Sequence, residues 1–227
     1  MKDVLGQALQ DHYYAVQTGK LWIHNKYGPK EEMPVSVYFR KEEQMPELEL
    51  AALGLCKGHV LDIGAAAGCH ALYLQKKGFT VSALDISPGA VEVMKARGVQ
   101  DVLQQDIMLL EGGNYDTLLL LMNGIGLAGS IDGLRLFLQH VKKLLAPGGQ
   151  MLFDSSDIAY LYEGNLPESP YYGEIDYQYE YRKEKTDWFK WLYVDRELLE
   201  KVATEEGWKT ELLYEDDYDQ YIARLTL

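Results

Sequence analysis

Three aspartates and a run of small residues are the parts of this sequence whose types and spacing could bind a ligand. Asp62, Asp85 and Asp106 each follow a short apolar segment, and Asp62 opens the run Asp62-Ile63-Gly64-Ala65-Ala66-Ala67-Gly68. Small residues let the chain turn sharply and let a ligand approach the backbone closely. The N–H groups of a helix that follows such a turn can face a negative ligand group. Tight packing alone could also explain this run.

Asp85 adds a second feature of a cofactor site. It lies 21 residues after Gly64, close to the ~20 residues at which an acidic side chain binds the ribose of a nucleotide cofactor. A carboxylate can accept hydrogen bonds from both ribose hydroxyls at once. The alternative is a solvated aspartate at the end of a strand, with no ligand.

Asp106 and Ile107 could bind a purine ring. The carboxylate can accept a hydrogen bond from a purine amino group. Ile107 can donate its backbone N–H to the ring and place its side chain on the ring face. The alternative for Asp106 is that it caps the N-terminus of a helix.

Strand and helix patterns alternate around these residues and would bring them together. Short apolar segments predict strands at 60–63, 79–84, 102–104, 117–122 and 150–153, with amphipathic helices between them. Such alternation indicates an α/β fold with a doubly wound, mostly parallel sheet and right-handed crossovers. Ligands of these sheets bind beyond the carboxyl ends of the strands, where the three aspartates lie.

The segment before this region predicts a separate cap. Apolar residues from Val4 to Val16 recur at helical spacing, and 47–55 reads as a further helix. Residues 1–57 are therefore predicted to form an N-terminal helical cap. The domain proper is predicted to span 58–227.

The segment after this region is rich in tyrosine. From Glu174 to Arg182, Ile175 and three tyrosines alternate with polar residues, which is typical of a half-buried strand. Residues 174–194 are therefore predicted to form a Tyr-rich hairpin insertion. Two further strands, at 208–215 and 220–226, are predicted to close the sheet.

Composition narrows the classes of partner. The net charge of −13 disfavours a nucleic-acid partner, because phosphate binding needs clustered Lys and Arg. No apolar run approaches the ~18–20 residues that cross a bilayer, and the first residues do not resemble a signal peptide, so the protein is expected in the cytoplasm. Cys56 and Cys69 form no metal-binding or disulfide pattern, so no metal is expected.

Five motifs in order resemble those of the Rossmann-like (class I) S-adenosylmethionine-dependent methyltransferases. They are Val60 to Gly68, Leu84-Asp85-Ile86-Ser87, Gln105-Asp106-Ile107, Tyr115-Asp116 before the apolar segment 117–122, and Leu145-Ala146-Pro147-Gly148-Gly149-Gln150. The resemblance covers about 58–154. It implies a seven-stranded sheet with a C-terminal antiparallel strand, S-adenosylmethionine as cofactor, and methyl transfer as the activity.

The resemblance also implies roles for individual residues. Asp62 and the loop from Gly64 to Gly68 would hold the methionine part of the cofactor. Asp85 would bind the ribose with Ile86 against the adenine, and Met122 and Asn123 would line the gap between cofactor and acceptor. The implied cofactor-binding set is Asp62, Gly64, Ala65, Ala66, Gly68, Asp85, Ile86, Asp106, Ile107, Met122 and Asn123.

Two positions depart from the family pattern. Ala66 replaces a glycine and adds a methyl group where space is small, although the site is expected to tolerate it. Asn123 is followed by Gly124 and not by the Pro-Pro-aromatic motif of many DNA, RNA and protein amide methyltransferases. This departure disfavours an amide or exocyclic-amine acceptor of that type. The aromatic-rich stretch 160–193 could form a pocket wall that suits a small, neutral or cationic acceptor, but tyrosines that face a sheet packed on helices explain it equally well.

No catalytic residue is assigned, because methyl transfer from a sulfonium depends mainly on holding donor and acceptor in line. A base is needed only when the acceptor must lose a proton. His24, Tyr13, Tyr14, Tyr38 and Arg40 could face the acceptor, but packing or solvent exposure explains each of them equally simply.

Two other functions are compatible with parts of the pattern. A nicotinamide-dependent oxidoreductase shares the glycine turn and ribose acid, but Ala66 and Leu72 break its Gly-x-Gly-x-x-Gly fingerprint. A non-catalytic module that binds S-adenosylmethionine would keep every motif. The sequence does not predict the oligomeric state.

Overall fold

A computed structural model describes residues 2–16 and 19–227. The chain divides into two compact units. The first comprises Met1–Met45, Leu61–Leu110 and Asp176–Phe189, and the second comprises Pro46–Val60, Glu111–Ile175 and Lys190–Leu227.

The described residues contain helices and strands in alternation. The helices are α1 (Val4–Tyr13), α2 (Glu47–Gly54), α3 (Cys69–Lys76), α4 (Pro88–Arg97), α5 (Ile131–Val141) and α6 (Arg196–Glu205). The strands are β1 (Leu21–Asn25), β2 (Glu31–Met33), β3 (His59–Ile63), β4 (Thr80–Asp85), β5 (Asp101–Gln104), β6 (Tyr115–Leu120), β7 (Leu145–Ser156), β8 (Glu174–Tyr181), β9 (Glu184–Lys185), β10 (Phe189–Leu192), β11 (Lys209–Glu215) and β12 (Gln220–Thr226). Short 3-10 helices connect several of them.

The central sheet has seven strands in the order β11-β12-β7-β6-β3-β4-β5. β4 and β5 are parallel, as are β6 and β7. β12 is antiparallel to both β7 and β11. The α/β class and the mostly parallel central sheet are confirmed, and the side chains of Ser87 and Asp195 cap α4 and α6.

A second sheet, in the order β10-β8-β1-β2 with β9 paired to β8, includes residues from the N-terminal segment. β1 pairs with β8 from Leu21↔Tyr181 to Asn25↔Tyr177. The segment 1–57 therefore contains strands as well as helices, whereas its sequence predicts a helical cap. The five residues of β1 are too few for a periodic signal, and their partner lies about 160 positions away.

In the first unit, α1 packs against α4. Leu9 of α1 and Ala90 and Val93 of α4 are buried in one cluster with Ala66 and Ala67 of the loop after β3. The burial of each larger side chain of this kind stabilises the folded protein by roughly 1–3 kcal/mol. The N-terminal helix is thus part of the core that supports this loop.

In the second unit, α5 presents an apolar stripe of the predicted kind. Leu134, Phe137, Leu138 and Val141 are all buried, and Ser130 caps the helix by accepting a hydrogen bond from the N–H of Gly133. No helix within residues 2–16 and 19–227 is long and apolar enough to span a membrane.

Candidate functional site

The loop between β3 and α3 adopts left-handed backbone conformations at Gly64, Ala66 and Gly68, with φ of +73°, +49° and +78°. A Cβ placed on Gly64 would meet no atom within 4 Å, whereas one on Gly68 would lie 2.9 Å from Val99 Cγ2. Gly68 is thus required for packing, while Gly64 leaves open space beside the loop. Tight packing therefore accounts for Gly68, whereas the space beside Gly64 agrees with the close approach of a ligand.

Asp85, at the end of β4, is held by the backbone on both sides of its carboxylate. Oδ2 accepts from the N–H of Ala66 at 2.8 Å, and Oδ1 accepts from the N–H of Ser87 at 2.8 Å. The side chain is buried, and this burial raises the pKa of the carboxyl, which the two N–H groups partly offset. Asp85 is therefore not a solvated strand-end aspartate. The N–H of Ile86 also bonds this carboxylate, and because a carboxylate has about four acceptor positions, room remains for a further donor.

Asp62, the penultimate residue of β3, is a buried carboxyl with an unusual environment. Its Oδ2 has no hydrogen-bond partner within the part of the chain that the structure describes. Burial raises the pKa of Asp62 to about 6, against the lowering effects of His70 and the N–H of Ala71. A buried acceptor without a partner costs free energy and indicates a missing polar group, such as a ligand or water.

Replacing Asp62 with Asn should stabilise the free protein near neutral pH. Because the folded-state pKa is about 6 and the ordinary value is 3.8, the folded protein binds the proton more tightly than the unfolded chain does. The folded state therefore loses stability as pH rises through this interval, by about 3 kcal/mol at most. The amide avoids that loss.

Urea unfolding at about pH 7.5 and about pH 4.5 measures this effect. The free energy of unfolding of Asp62→Asn should exceed that of the wild type at the higher pH, and the difference should shrink at least about twofold at the lower pH. An equal difference at both pH values would contradict a buried, ionised Asp62.

The remaining predicted contacts on this unit differ in exposure. Ile86, directly after Asp85, is 67% exposed, whereas Ile107 is buried with its side chain in the core. Asp106 Oδ1 accepts from the N–H of Met108 at 2.9 Å and caps a 3-10 helix, so one of its oxygens has the capping role. Ala65 is buried in the loop.

Two residues that sequence reasoning missed also contact the site. Arg97, at the end of α4, donates from Nη1 to the carbonyl oxygen of Ala67 at 2.5 Å and stacks on Phe39 with its guanidinium carbon 4.9 Å from the ring centroid. Asp3 caps α1 and also contacts the start of α4. An aspartate just before an apolar-periodic segment is a signal that could have revealed the first role of Asp3, whereas no local pattern indicates the second.

Met122 and Asn123, in the second unit, have consecutive left-handed conformations with φ of +62° and +54°. The N–H of Asn123 donates to Asp154 Oδ2 at 2.9 Å, and its Nδ2 donates to the carbonyl of Leu192 at 3.2 Å. Ser155 Oγ donates to Asn123 Oδ1 at 3.0 Å. The Asn123 side chain thus stabilises its own unit, while Met122 is half-buried.

The candidate side chains of the N-terminal segment have structural partners. His24 Nε2 lies 2.7 Å from Glu180 Oε2, and the hydroxyls of Tyr13 and Tyr14 donate to α4, at Ala96 O and Glu92 Oε1. These contacts agree with the packing explanation that the sequence left open.

Tyrosines of the second unit form a hydrogen-bonded cluster with two aspartates. The Tyr171 hydroxyl donates to Asp195 Oδ2 at 2.6 Å, and the Tyr172 hydroxyl donates to Asp157 Oδ1 at 2.8 Å. The two rings lie 4.5 Å apart. Burial, together with these carboxylates, raises the pKa of both phenols, so they remain protonated at neutral pH.

Comparison with known proteins identifies the family. A methyltransferase-domain family model matches residues 38–210. A crystal structure of an S-adenosylmethionine-dependent methyltransferase from Bacteroides fragilis, in complex with S-adenosyl-L-homocysteine, is 42% identical, with a TM-score of 0.92 over 100% of this chain and 95% of that one. No curated protein matches the chain.

Two more distant structures share the fold. An S-adenosylmethionine-dependent methyltransferase from Clostridium acetobutylicum is 14% identical, with a TM-score of 0.62 over 79% of this chain and 87% of that one. An amino pentose methyltransferase from Micromonospora echinaspora, solved with S-adenosylmethionine, is 14% identical, with a TM-score of 0.55 over 81% and 92%. The chain belongs to the S-adenosylmethionine-dependent methyltransferases, which confirms the predicted enzyme class.

Proposed function

We propose that this protein transfers the methyl group of S-adenosylmethionine to a small, neutral or cationic acceptor, and that the cofactor binds at Asp62, Asp85 and the loop between them. The observation that carries this proposal is the buried Asp85 carboxylate, which two backbone N–H groups hold in one orientation. A rigidly held carboxylate suits two vicinal hydroxyls, because it can accept from both without reorienting.

The residues around Asp85 fit the cofactor. The unpartnered Asp62 Oδ2 can accept from an ammonium group or from a water that bridges to it, and Gly64 leaves room for a ligand to approach the loop. Exposed Ile86 offers an apolar surface for the adenine, and the backbone N–H of Ile107 with Asp106 would read its edge. Ala65, Ala66 and Gly68 shape the loop, and Met122 and Asn123 would border the acceptor.

The chemistry asks little of the protein beyond orientation. S-adenosylmethionine, when bound, supplies a methyl group activated by its sulfonium sulfur. Asp85 and the loop would fix the position of the donor, so that catalysis comes mainly from near-attack geometry. No side chain is assigned as a base, and an acceptor that is an uncharged amine needs none before attack.

Charge supports a neutral or cationic acceptor. The net charge is −13, and each of the two short basic runs, 183–185 and 142–143, has a lysine that is engaged within the protein: Lys185 pairs with Glu180 at 3.2 Å, and Lys142 donates to the carbonyl of Glu206. A nucleic acid would meet net electrostatic repulsion. The amino pentose enzyme illustrates that this fold serves small acceptors.

The organisation of the chain remains part of this proposal. We retain a cap at 1–57 and a methyltransferase domain at 58–227, with the Tyr-rich segment 174–194 inserted in it. The pairing of β1 with β8 supports a common role for the cap and the insertion, as walls of the acceptor pocket. A cytoplasmic location is proposed on the sequence alone.

A binding and turnover experiment tests the function. Calorimetric titration should detect S-adenosylmethionine and S-adenosylhomocysteine but not NAD. An acceptor screen should then follow S-adenosylhomocysteine release with small amines, with the same molecules carrying a carboxylate or phosphate, and with RNA and DNA. Turnover with amines alone supports the proposal. Turnover only with nucleic acid or with the anionic analogues would overturn the acceptor class, and binding of NAD alone would overturn the cofactor.

A further inference from the structure

The carboxylate of Asp3 joins the first turns of two helices of the first unit. Asp3 Oδ1 accepts from the N–H of Gly6 at 3.0 Å and so caps α1. Asp3 Oδ2 accepts from the N–H of Gly89 at 2.8 Å, at the start of α4. Ser87 Oγ lies 2.8 Å from Asp3 Oδ1 and 2.9 Å from Oδ2. One carboxylate thus satisfies donors from both helices.

Two glycines make room for this bridge. A Cβ on Gly6 would lie 2.2 Å from Asp3 Oδ2, and a Cβ on Gly89 would lie 2.7 Å from the Gly6 backbone. Any other residue at either position would push the helices apart or displace the carboxylate. The close approach of the two backbones therefore depends on three residues, Asp3, Gly6 and Gly89.

The bridge ends next to the proposed ribose aspartate. Ser87, which donates its hydroxyl to Asp3, also donates its N–H to Asp85 Oδ1. The segment Asp85-Ile86-Ser87 is thereby held at one end by β4 and at the other by Asp3. A displacement of Asp3 would therefore be transmitted to Asp85 through Ser87, which hydrogen-bonds to both.

The other end of α1 is also anchored. Asp11, which is buried, accepts from the Tyr181 hydroxyl at 2.9 Å and pairs with Arg182 at 3.0 Å. Lys2 pairs with Glu184. Tyr181 of β8 and Arg182 in the turn after it thus hold the C-terminal part of α1, whereas the exposed pair between Lys2 and Glu184 of β9 adds little.

We propose that Asp3 is a positioning residue of the cofactor site, which fixes the backbone that carries Asp85 and Ile86 by joining α1 to the start of α4. The proposal rests on the proposed binding of the cofactor ribose at Asp85. Asp3 touches no cofactor atom in this role. It acts through Ser87 and through its own negative charge.

The charge provides a readout that loss of packing would not give. The charged groups that face Asp85 are Asp3 from the N-terminal segment and Asp62 from β3, and His70 lies beside Asp62. Asp3 contributes to the raised pKa of Asp85, although burial is the larger cause. Removing the Asp3 charge should lower that pKa, so that Asp85 stays ionised, and able to accept ribose hydroxyls, to lower pH.

The experiment measures the dissociation constant of S-adenosylhomocysteine between about pH 5 and pH 9 for the wild type, Asp3→Asn and Asp3→Ser. Serine can still cap α1, but its single oxygen cannot also serve Gly89 and Ser87. Both variants should bind several-fold more weakly at pH 7.5. The acid limb of Asp3→Asn should shift to lower pH. Ser130→Ala, which removes the cap of α5 in the second unit, is the matched control and should leave the affinity unchanged.

The outcomes distinguish the positioning role of Asp3 from the proposed cofactor site at Asp85. If the wild type binds S-adenosylhomocysteine and both folded Asp3 variants match it in affinity and in pH dependence, the role of Asp3 is overturned. Equal weakening in Ser130→Ala would assign the effect to general destabilisation and would also overturn it. If the wild type itself does not bind, the cofactor site at Asp85 fails instead.

Discussion

Replacing Gly64 with Val should abolish measurable binding of S-adenosylhomocysteine and leave a folded protein. A Cβ at Gly64 meets no protein atom within 4 Å, so the new side chain should extend into the volume through which the cofactor is proposed to approach the loop. Overlap with a bound ligand should weaken affinity by about 3 kcal/mol or more, which is on the order of 100-fold. Calorimetry of the purified variant measures this loss.

Gly64→Val also destabilises the backbone conformation at this position, so a control variant is needed. Gly64 has φ of +73°, where a branched side chain costs about 1–2 kcal/mol in stability. Gly148 has the same φ of +73° and the same open surroundings, and it lies outside the proposed site. Gly148→Val should lose similar stability, which thermal unfolding reports, and should bind normally. Normal binding by Gly64→Val would place the cofactor elsewhere.

Replacing Asp85 with Ala should weaken S-adenosylhomocysteine binding by at least about 100-fold. Hydrogen bonds to a charged group contribute about 1.5–3 kcal/mol each, and the proposed site loses two of them. The variant also releases the N–H groups of Ala66 and Ser87, so some stability is lost as well. The dissociation constant and the free energy of unfolding should be measured on the same preparation.

The control variant Asp116→Ala separates the loss of affinity from the loss of stability. Asp116 also accepts a backbone hydrogen bond, from the N–H of His59 at 2.8 Å, but it lies near the start of β6, away from the carboxyl end. This variant should lose comparable stability and keep its affinity. Equal affinity losses in both variants would show that Asp85 matters for folding alone.

The central sheet could be predicted from the sequence because its signals are local. The apolar segment predicted at 117–122 became β6 at Tyr115–Leu120, and the closing strand predicted at 220–226 became β12 with the same bounds. Glycines and helix caps mark the ends of these elements, and each signal depends on a few consecutive residues. Burial of both faces then follows from the helices between the strands.

The second sheet and the Asp3 bridge could not be predicted in this way. Leu21 pairs with Tyr181, and Asp3 contacts Gly89, so both depend on residues far apart in the chain. Neither partner has a pattern that specifies the other. Asp106 presents a different difficulty, because a carboxylate that caps a helix and one that binds a purine occupy the same kind of position.

Ala66, whose added methyl group the sequence analysis expects the site to tolerate, adopts a left-handed conformation. The hydrogen bond from its N–H to Asp85 couples this disfavoured backbone to the proposed ribose ligand. The entropic cost of ordering the loop is thereby met when the chain folds, and little of it is left for the moment when a ligand arrives. Such a site lowers the thermal stability of the free protein, and less conformational entropy is then lost when the ligand binds.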